Sequence, residues 1–149
     1  MRAVVQRVSE CSIRVSGNIV AETGSGLLVY LGVGATDSED SADYLIGKIP
    51  KLRIFNDEHG AMNLSAVEKS CAICVVSQFT LYGDTRKGRR PSYSAAAPPE
   101  RARGLYDYFV AELVKSGLEI ASGIFGEHME VGYINDGPIT ILLDSEKLI

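Results

Sequence analysis

The segment Leu27-Leu28-Val29-Tyr30-Leu31-Gly32-Val33 gives the strongest local indication of the fold. It is apolar at nearly every position and is bounded by glycines, a pattern typical of a β-strand that is buried on both faces. A second fully apolar run, Ala72-Ile73-Cys74-Val75-Val76, occurs later in the chain and ends at a polar segment. We therefore expect the first strand to be central in a sheet and the second to be another buried strand.

Antiparallel pairing is predicted on the N-terminal side of these strands. Ala3–Val8 is rich in β-forming residues, and Cys11–Val15 alternates apolar and polar side chains with period two. Gly17-Asn18 supplies turn chemistry before a return strand at Ile19–Ala21. The C-terminal third is expected to contain three further strands, the last two joined by a turn at 135–138: Leu118–Ala121, Met129–Ile134 and Ile139–Leu143.

Two amphipathic helices complete the predicted fold. Thr36-Asp37-Ser38-Glu39 has the spacing of a capping box, and an apolar stripe follows it as far as Pro50. Pro98-Pro99-Glu100 begins a second helix, which carries its own stripe and ends near Gly117. With no repeat, linker or low-complexity tract, residues 1–149 are expected to form one α/β domain, a mixed, mostly antiparallel, barrel-like sheet covered by two main helices.

The charge is unevenly distributed along the chain. The whole sequence has a net charge of -4, yet residues 86–103 carry +5 and the remainder carries -9. Such a cationic patch attracts phosphate without a basic overall composition. A solvated loop whose arginines pair with nearby carboxylates explains the pattern equally well.

Several common catalytic chemistries lack support in the sequence. Cys71 and Cys74 have CxxC spacing, but in a strand their side chains point to opposite faces and cannot share one metal ion, so the cysteines are interpreted as buried apolar fillers. The two histidines, His59 and His128, have no neighbour at ligand spacing, and nothing places either beside Ser77. Phosphate-binding glycine loops and the G-x-S-x-G nucleophile motif are absent. We therefore expect no metal and no cofactor.

Two polar segments interrupt otherwise apolar sequence at strand ends, Ser77–Gly83 and Asn135–Thr140. If the strand alternation continues, Gln78 and Thr80 share one face, so that a ligand at the strand end meets amide and hydroxyl groups together. The alternative is that Ser77 and Thr80 satisfy local backbone groups where the chain turns. The second segment, Asn135-Asp136-Gly137-Pro138, is either a functional loop or a simple hairpin turn.

Three segments resemble the signature segments of the bacterial D-aminoacyl-tRNA deacylases, formerly called D-tyrosyl-tRNA deacylases: Ser77–Tyr82, Asp84–Ser92 and Asn135–Thr140. The likeness extends in collinear order over essentially the whole chain, through Met1–Val8, Leu52–Phe55 and Met62–Ser65. The departures are apolar exchanges or surface changes, such as Ile139 where valine is common.

The resemblance implies a hydrolase that cleaves the ester between a D-amino acid, or glycine, and the terminal adenosine of tRNA while sparing L-aminoacyl-tRNA. It implies a homodimer in which Gly137-Pro138, with a cis peptide bond, enters the active site of the opposite subunit. There the pair holds the substrate's amino group and excludes any side chain on the L side. Steric exclusion by rigid backbone is stronger than a hydrophobic preference, which provides about 1–3 kcal/mol.

The resemblance also places the aminoacyl carbonyl beside four candidate catalytic residues: Ser77, Gln78, Phe79 and Thr80. Backbone N–H groups around Phe79 are the implied oxyanion donors, and the polar side chains next to them position the substrate. The 2′-hydroxyl of the adenosine relays or activates the attacking water. Four cations become candidate phosphate contacts for the acceptor stem: Arg86, Lys87, Arg89 and Arg90.

Two alternatives stay open from the sequence. A non-catalytic tRNA-binding module would use the basic segment with Tyr82 and Tyr93, and it would bind tRNA without turnover. A Thr80-dependent esterase would lose activity in Thr80→Ala, although no base in the motif activates this hydroxyl. The odd cysteine count, the absence of a signal-peptide pattern and the lack of a bilayer-length apolar run predict a cytoplasmic location.

Overall fold

Strand β1 (Arg2–Val15) is the strand around which the sheet is built, in a computed structural model that describes all residues from Met1 to Ile149. One edge of β1 pairs antiparallel with β3 (Gly26–Gly32) and then with β2 (Asn18–Thr23). The other edge pairs antiparallel with β8 (Glu130–Asp144). The predicted antiparallel β-structure is confirmed, with its first two segments joined into one long strand.

The two fully apolar stretches form the middle of the sheet. β3 pairs in parallel with β6 (Ala72–Ser77), and β6 pairs in parallel with β7 (Ile120–Ser122). Leu28 and Val29 point to opposite faces of β3, and both are completely buried, as predicted. The strand order is β2-β1-β3-β6-β7, with β8 added on the outer edge of β1. The sheet is therefore mixed and barrel-like, as the sequence predicts.

Two long helices, α1 (Glu39–Lys48) and α3 (Pro99–Val114), pack on the sheet, and a single-turn helix, α2 (Ala66–Lys69), lies between them in sequence. The capping box of α1 is formed by Ser38 with Ser41. The predicted box, which begins at 36, is wrong by two residues, because Asp37, the residue before Ser38, is buried in the protein interior. The helix passes into a 3-10 turn at 49–51, where a proline with no N–H ends the regular hydrogen bonding.

The main core lies between these helices and the sheet. Phe109 and Leu113 of α3 and Leu45 of α1 are completely buried, and they pack with strand side chains such as Val29. A smaller buried cluster uses the alternate side chains of the strands: Val8, Cys11, Ile13, Leu28, Cys74 and Val76. The interpretation of the cysteines as apolar fillers is confirmed for Cys11 and Cys74, while Cys71 is only partly buried.

A two-stranded ribbon of β4 (Phe55–Asn56) and β5 (Met62–Leu64) stands apart from the main sheet and is anchored to the core by Phe55. The turn between its strands is stabilised by Asp57, whose Oδ1 accepts the backbone N–H groups of His59 and Ala61. None of the helices combines the length and apolar character needed to cross a bilayer.

The C-terminal third differs from the prediction beyond β7. The sequence predicts two strands joined at 135–138 by either a functional loop or a hairpin turn, but β8 is one strand that pairs with β1 on both sides of that segment. Between the two paired stretches, β1 has a single residue, Arg7, whereas β8 has four, Asp136–Ile139. We call Asp136–Ile139 the Gly-Pro bulge. Both halves of β8 run in one direction along β1, so the segment protrudes from the sheet and does not reverse the chain.

Candidate active site

The polar segment at the end of β6 leaves the sheet as a tight turn. Ser77 is the last strand residue and pairs with Leu31 of β3, whose carbonyl oxygen accepts the backbone N–H of Gln78 at 2.8 Å. Residues Phe79–Tyr82 then form a 3-10 turn. The predicted alternation of faces beyond Ser77 is therefore wrong, because the strand ends there.

This turn carries backbone donors that its own hydrogen bonding does not use. In a 3-10 turn each N–H bonds to the residue three positions back, and the Leu81 N–H is the first to reach a carbonyl, that of Gln78, at 3.4 Å. The N–H groups of Phe79 and Thr80 come earlier in the turn and have no carbonyl oxygen three positions back to bond to within it. The Gln78 side-chain amide donates to the Thr80 hydroxyl. Two backbone donors, an amide and a hydroxyl therefore lie within one turn.

Glycines at the end of β3 let this turn pack closely on the sheet. A Cβ atom at Gly32 would lie 2.9 Å from the Gln78 carbonyl oxygen, and one at Gly34 would lie 2.7 Å from the Tyr82 hydroxyl oxygen. Both separations are shorter than any real Cβ contact. The position of the turn therefore requires glycine at 32, where the clash is with backbone, and the position of the Tyr82 ring requires glycine at 34.

A polar network fixes the far end of the turn. Arg2 donates from Nη1 to the Leu81 carbonyl oxygen at 3.1 Å, pairs with Asp144 at 3.3 Å and lies 4.6 Å from the centroid of the Tyr82 ring. The Tyr82 hydroxyl donates to the buried Asp37 at 3.3 Å. Burial raises the pKa of Tyr82 well above its ordinary value, so the phenol remains a neutral donor. The turn is thus held from both ends.

Beside the turn lies a cavity of about 610 Å³, a volume typical of small-molecule sites. Its inner wall is apolar, with Val33 and Val76 from the sheet segment and Ala102 and Tyr106 from α3. Tyr106 is fixed by its hydroxyl, which donates to a strand carbonyl at 2.9 Å. The polar and aromatic lining begins at the end of β6 and continues through the turn and two later loops: Ser77, Gln78, Phe79, Tyr93, Phe125, Glu127 and His128.

The cavity unites part of the predicted site with residues that the sequence does not connect to it. Ser77, Gln78 and Phe79 line the cavity, whereas Thr80 belongs to the same turn but lies outside the lining. His128 lines the same cavity, a placement that nothing in the sequence indicates. It comes from the loop before β8, and no spacing rule relates that loop to the end of β6.

The Gly-Pro bulge is held at its base and from beneath. Asn135 Nδ2 donates to the Ile139 carbonyl oxygen at 3.0 Å and so bridges the two ends of the bulge. Arg7, only 8% exposed, donates from Nε to the Asp136 carbonyl oxygen at 3.2 Å and contacts the Asp136 carboxylate at 3.0 Å. Gly137 has a φ of 128°, and the peptide bond between Gly137 and Pro138 is cis.

Arg7 is a site residue that the sequence reasoning missed, although a signal was available. Ala3, Val5 and Arg7 share one face of β1, and the first two are completely buried. A cation on an otherwise buried face needs partners, because an isolated charge is costly to bury. Its other partners are the Ile54 carbonyl oxygen at 2.8 Å and the Asn56 side-chain oxygen at 3.2 Å.

Within one chain, the bulge and the cavity are far apart. The residue of β1 opposite Leu31 is Ala3. Arg7, below the bulge, is four positions further along β1, which is about 14 Å at 3.4 Å per residue. The cavity-lining turn follows β6, on the opposite side of β1 from β8. No residue of the bulge lines the cavity. The fold therefore does not bring Gly137 and Pro138 to Ser77 in a single chain.

The basic loop, Asp84–Ser92, begins directly after the turn. Its ends are joined by reciprocal backbone hydrogen bonds of 2.8 and 2.9 Å. Arg86 is bonded to Asp84 through two side-chain contacts of 2.9 and 2.7 Å, and these hydrogen bonds lower the pKa of Asp84 to about 2. Three other cations of the loop are exposed and belong to none of the salt bridges in the chain: Lys87, Arg89 and Arg90.

The fold and the site define a class of small α/β protein with an apolar cavity at the carboxyl ends of parallel strands, a common position for ligand sites. Backbone donors lie at the edge of that cavity and a cationic loop lies next to it. The chain belongs to the family described as D-Tyr-tRNA(Tyr) deacylase, whose sequence profile matches residues 4–144. The resemblance drawn from the signature segments is thereby confirmed.

Individual relatives agree with this assignment. Proteins named D-aminoacyl-tRNA deacylase from Koribacter versatilis and Desulfotalea psychrophila are 57% and 56% identical to the chain, and each alignment covers 99% of both sequences. A solved structure titled c-Myc DNA Unwinding Element Binding Protein is 40% identical, with a TM-score of 0.91 over 97% of this chain and 98% of that one. A probable eukaryotic D-amino acid tRNA deacylase, 20% identical with a TM-score of 0.84 over 96% and 98%, shares the fold.

Proposed function

We propose that this chain hydrolyses the ester bond of D-aminoacyl-tRNA and glycyl-tRNA to free amino acid and tRNA, and that it spares L-aminoacyl-tRNA. The observation that carries the proposal is the cavity lined by Ser77, Gln78 and Phe79 beside the basic loop. A nucleoside ester needs an apolar wall for its base, donors for its carbonyl oxygen and cations for the adjoining phosphates. Its substrate is a cytoplasmic RNA, so we place the protein in the cytoplasm.

Ester cleavage is assigned to backbone donors of the turn. Water attacks the ester carbon, and the N–H groups of Phe79 and Thr80 stabilise the oxyanion that forms. The bond to the ribose oxygen then breaks, and that oxygen takes up a proton. One such donor is typically worth about 2.7–4 kcal/mol of transition-state stabilisation. The side chains of Gln78 and Thr80, which bond to each other, position the substrate and do not react.

The cavity is assigned to the terminal adenosine. Its apolar wall, which includes Ala102 and Tyr106, suits a flat base, and its polar lining begins at Ser77, next to the turn. The ribose 2′-hydroxyl then lies beside the ester and relays the proton of the attacking water. With this role for the RNA, activation of the attacking water does not depend on a side-chain base within the 77–80 segment.

Rejection of L-amino acids is assigned to Gly137 and Pro138. Proline fixes its own φ, and Arg7 and Asn135 hold the two ends of the bulge, so its carbonyl groups form a surface that does not yield. A D side chain or the hydrogen of glycine fits beside such a surface, whereas an L side chain collides with it. The carbonyl oxygens of the bulge can also accept hydrogen bonds from the ammonium group of the substrate.

Because the bulge and the cavity are apart in one chain, we propose that a second copy supplies the bulge in a homodimer. Ile134 and Leu142 lie on β8 on either side of the bulge and are 54% and 56% exposed. These apolar side chains give the outer edge of the sheet a surface that a second copy can cover. Each complete site then contains the cavity of one subunit and Gly137-Pro138 of its partner.

The direct test of the activity is deacylation of matched D- and L-tyrosyl-tRNA, with and without a chelator. We expect loss of the D ester only, unchanged by the chelator, because no step uses a metal. Stable binding of tRNA with both esters intact would support the non-catalytic module instead. Hydrolysis of both esters would contradict the role given to Gly137 and Pro138.

The dimeric site is tested by mixing two variants with different defects. Ala102→Trp fills the cavity and should abolish turnover, whereas Pro138→Ala should hydrolyse both D and L esters. In mixed dimers the single working cavity belongs to the Pro138→Ala subunit and faces the intact bulge of its partner. Excess Ala102→Trp subunit should therefore suppress hydrolysis of the L ester while hydrolysis of the D ester persists. Unchanged hydrolysis of the L ester in confirmed mixed dimers would show that each bulge serves its own chain.

A further inference from the structure

Phe79 and Tyr93 form an exposed aromatic pair at the edge of the cavity, and the proposed ester cleavage gives their rings no role. The ring centroids are 5.0 Å apart, with 71° between the ring planes. Phe79 is 56% exposed and Tyr93 is 38% exposed, so both rings present surface to solvent. Exposed aromatic side chains beside a ligand cavity are typical of a recognition surface.

The backbone that carries Tyr93 is fixed in place. The residues after it return to the end of β3, where the Ala97 N–H donates to the Val33 carbonyl oxygen at 2.9 Å. A Cβ atom at Gly83 would lie 3.2 Å from Cε1 of Tyr93, which shows that the ring packs against the end of the turn. A side chain that is already ordered loses little conformational freedom when a ligand binds to it.

The aromatic pair lies between the cavity and the basic loop. Both rings line the cavity, and the loop joins the turn that contains Phe79 to the segment that contains Tyr93. The exposed cations Lys87, Arg89 and Arg90 extend beyond the paired ends of that loop. For a single strand with its last nucleoside in the cavity and its phosphates on the loop, the two rings are the aromatic surface between those two contacts.

We infer that Phe79 and Tyr93 form a stacking platform for the penultimate nucleobase of the tRNA 3′ end, an inference that rests on the proposed function. The 3′ end of tRNA is single-stranded, and its penultimate nucleotide is a cytidine. Aromatic side chains stack on any base because every base has a π-face, so the platform needs no hydrogen-bond recognition. The ligand of this surface is a single-stranded RNA end of at least two nucleotides, not a nucleoside alone.

The test compares three substrates that differ only in length: D-tyrosyl-adenosine, D-tyrosyl-cytidylyl-adenosine and D-tyrosyl-tRNA. In the unmodified protein, kcat/KM should rise roughly 5- to 150-fold from the first to the second substrate, the range expected for one stacked base. Tyr93→Leu keeps apolar bulk but removes the ring face, and it should remove most of this rise. Tyr93→Phe keeps the ring and should preserve the rise.

A second variant separates stacking from charge. Arg89→Ser with Arg90→Ser should lower kcat/KM for D-tyrosyl-tRNA, but it should leave the rise from adenosine to cytidylyl-adenosine intact. The inference is overturned if the added cytidine gives no rise in the unmodified protein. It is also overturned if Tyr93→Leu lowers the rate for all three substrates by one common factor, because the ring would then contact the adenosine or the amino acid.

Failure of the platform and failure of the proposed function give different results. If the unmodified protein hydrolyses none of the three esters, the proposed activity is wrong. The platform is then decided by the affinities for uncharged adenosine and uncharged cytidylyl-adenosine. A tighter complex with the dinucleotide that Tyr93→Leu weakens and Tyr93→Phe preserves supports the platform, and equal affinities overturn it.

Discussion

The Arg7 guanidinium donates to the Asp136 carbonyl oxygen at 3.2 Å, although the two residues are 129 positions apart in sequence. The same side chain contacts the Asp136 carboxylate and donates to the Ile54 carbonyl oxygen, so one buried cation joins β1, the segment before β4 and the Gly-Pro bulge. A guanidinium presents its donors in fixed directions, which the ammonium group of lysine cannot reproduce. The geometry of the bulge therefore depends on a side chain from the first strand.

Arg7→Lys is expected to lower selectivity for D over L esters by at least about tenfold, because small displacements of positioning groups change rates strongly. The free energy of unfolding should fall by about 1–3 kcal/mol, since the Asp136 or Ile54 carbonyl oxygen loses its donor. Selectivity is measured as the ratio of kcat/KM for D- and L-tyrosyl-tRNA, and stability by denaturant unfolding. Arg14→Lys, at an exposed position of the same strand, is the control and should change neither quantity. Lowered stability with unchanged selectivity would contradict the positioning role of Arg7.

Gly137→Ala is expected to impair the bulge because Gly137 has a φ of 128° and an added Cβ would lie 2.8 Å from Cγ1 of Ile139. We expect a loss of stability of about 1–2 kcal/mol and reduced deacylation of the D ester. Gly104→Ala is the matched control, because a Cβ there meets open space in an exposed position of α3 and should stabilise the protein by about 0.5–1 kcal/mol. Thermal unfolding and the deacylation assay check both. Equal effects at the two glycines would count against a special conformation at Gly137.

Thr80→Val separates positioning from nucleophilic catalysis. The Thr80 hydroxyl accepts a hydrogen bond from Gln78, and the loss of one hydrogen bond of this kind corresponds to a roughly 2- to 12-fold lower kcat. Loss of a true nucleophile would lower kcat by about 10⁶-fold. Single-turnover assays on Thr80→Val and Thr80→Ser decide between these values. Accumulation of a covalent aminoacyl-enzyme in the unmodified protein would favour the Thr80-dependent esterase.

Removal of the exposed cations of the basic loop is expected to weaken tRNA binding without affecting chemistry. Each of Lys87→Ser, Arg89→Ser and Arg90→Ser should raise KM for D-tyrosyl-tRNA and reduce the slope of log affinity against log salt by about 0.7–0.9. The turnover number and the preference for the D ester should stay unchanged, because the loop lies outside the cavity lining. Lys51→Ser, an exposed lysine after α1, is the control. An equal change in slope for Lys51→Ser would mean that only net charge matters.

Asp84→Asn is expected to have the opposite effect, because it releases Arg86 from its ion pair. The pKa of Asp84 is lowered to about 2, so the carboxylate is charged and paired above that pH and loses its charge only as the pH falls through about 2. Between pH 6 and 9 the effect of the substitution should therefore be independent of pH. We expect a lower KM and a steeper salt dependence, both reversed by adding Arg86→Ser. A higher KM would show that the pair shapes the loop more than it masks its charge.

Much of the fold could be predicted from local pattern. Leu27–Val33 and Ala72–Val76 are apolar at nearly every position and are bounded by turn residues, a pattern typical of strands covered on both faces. The stripe of α3 and the proline at its start likewise agree with the helix observed. The capping box of α1 is predicted two residues too early, because the burial of Asp37 depends on tertiary contacts that the local spacing of residues does not indicate.

Local sequence is sufficient to predict the two central strands, the two helices, the signature segments and the cationic loop, because each depends on residues that are neighbours in the chain. Tertiary structure alone decided that β8 continues through 135–138, since only pairing with β1 on both sides distinguishes a bulge from a hairpin. It also placed His128 in the cavity of Ser77 and Arg7 beneath Asp136. These contacts join segments that are distant in sequence, and their geometry follows from strand order and packing, which no local pattern records.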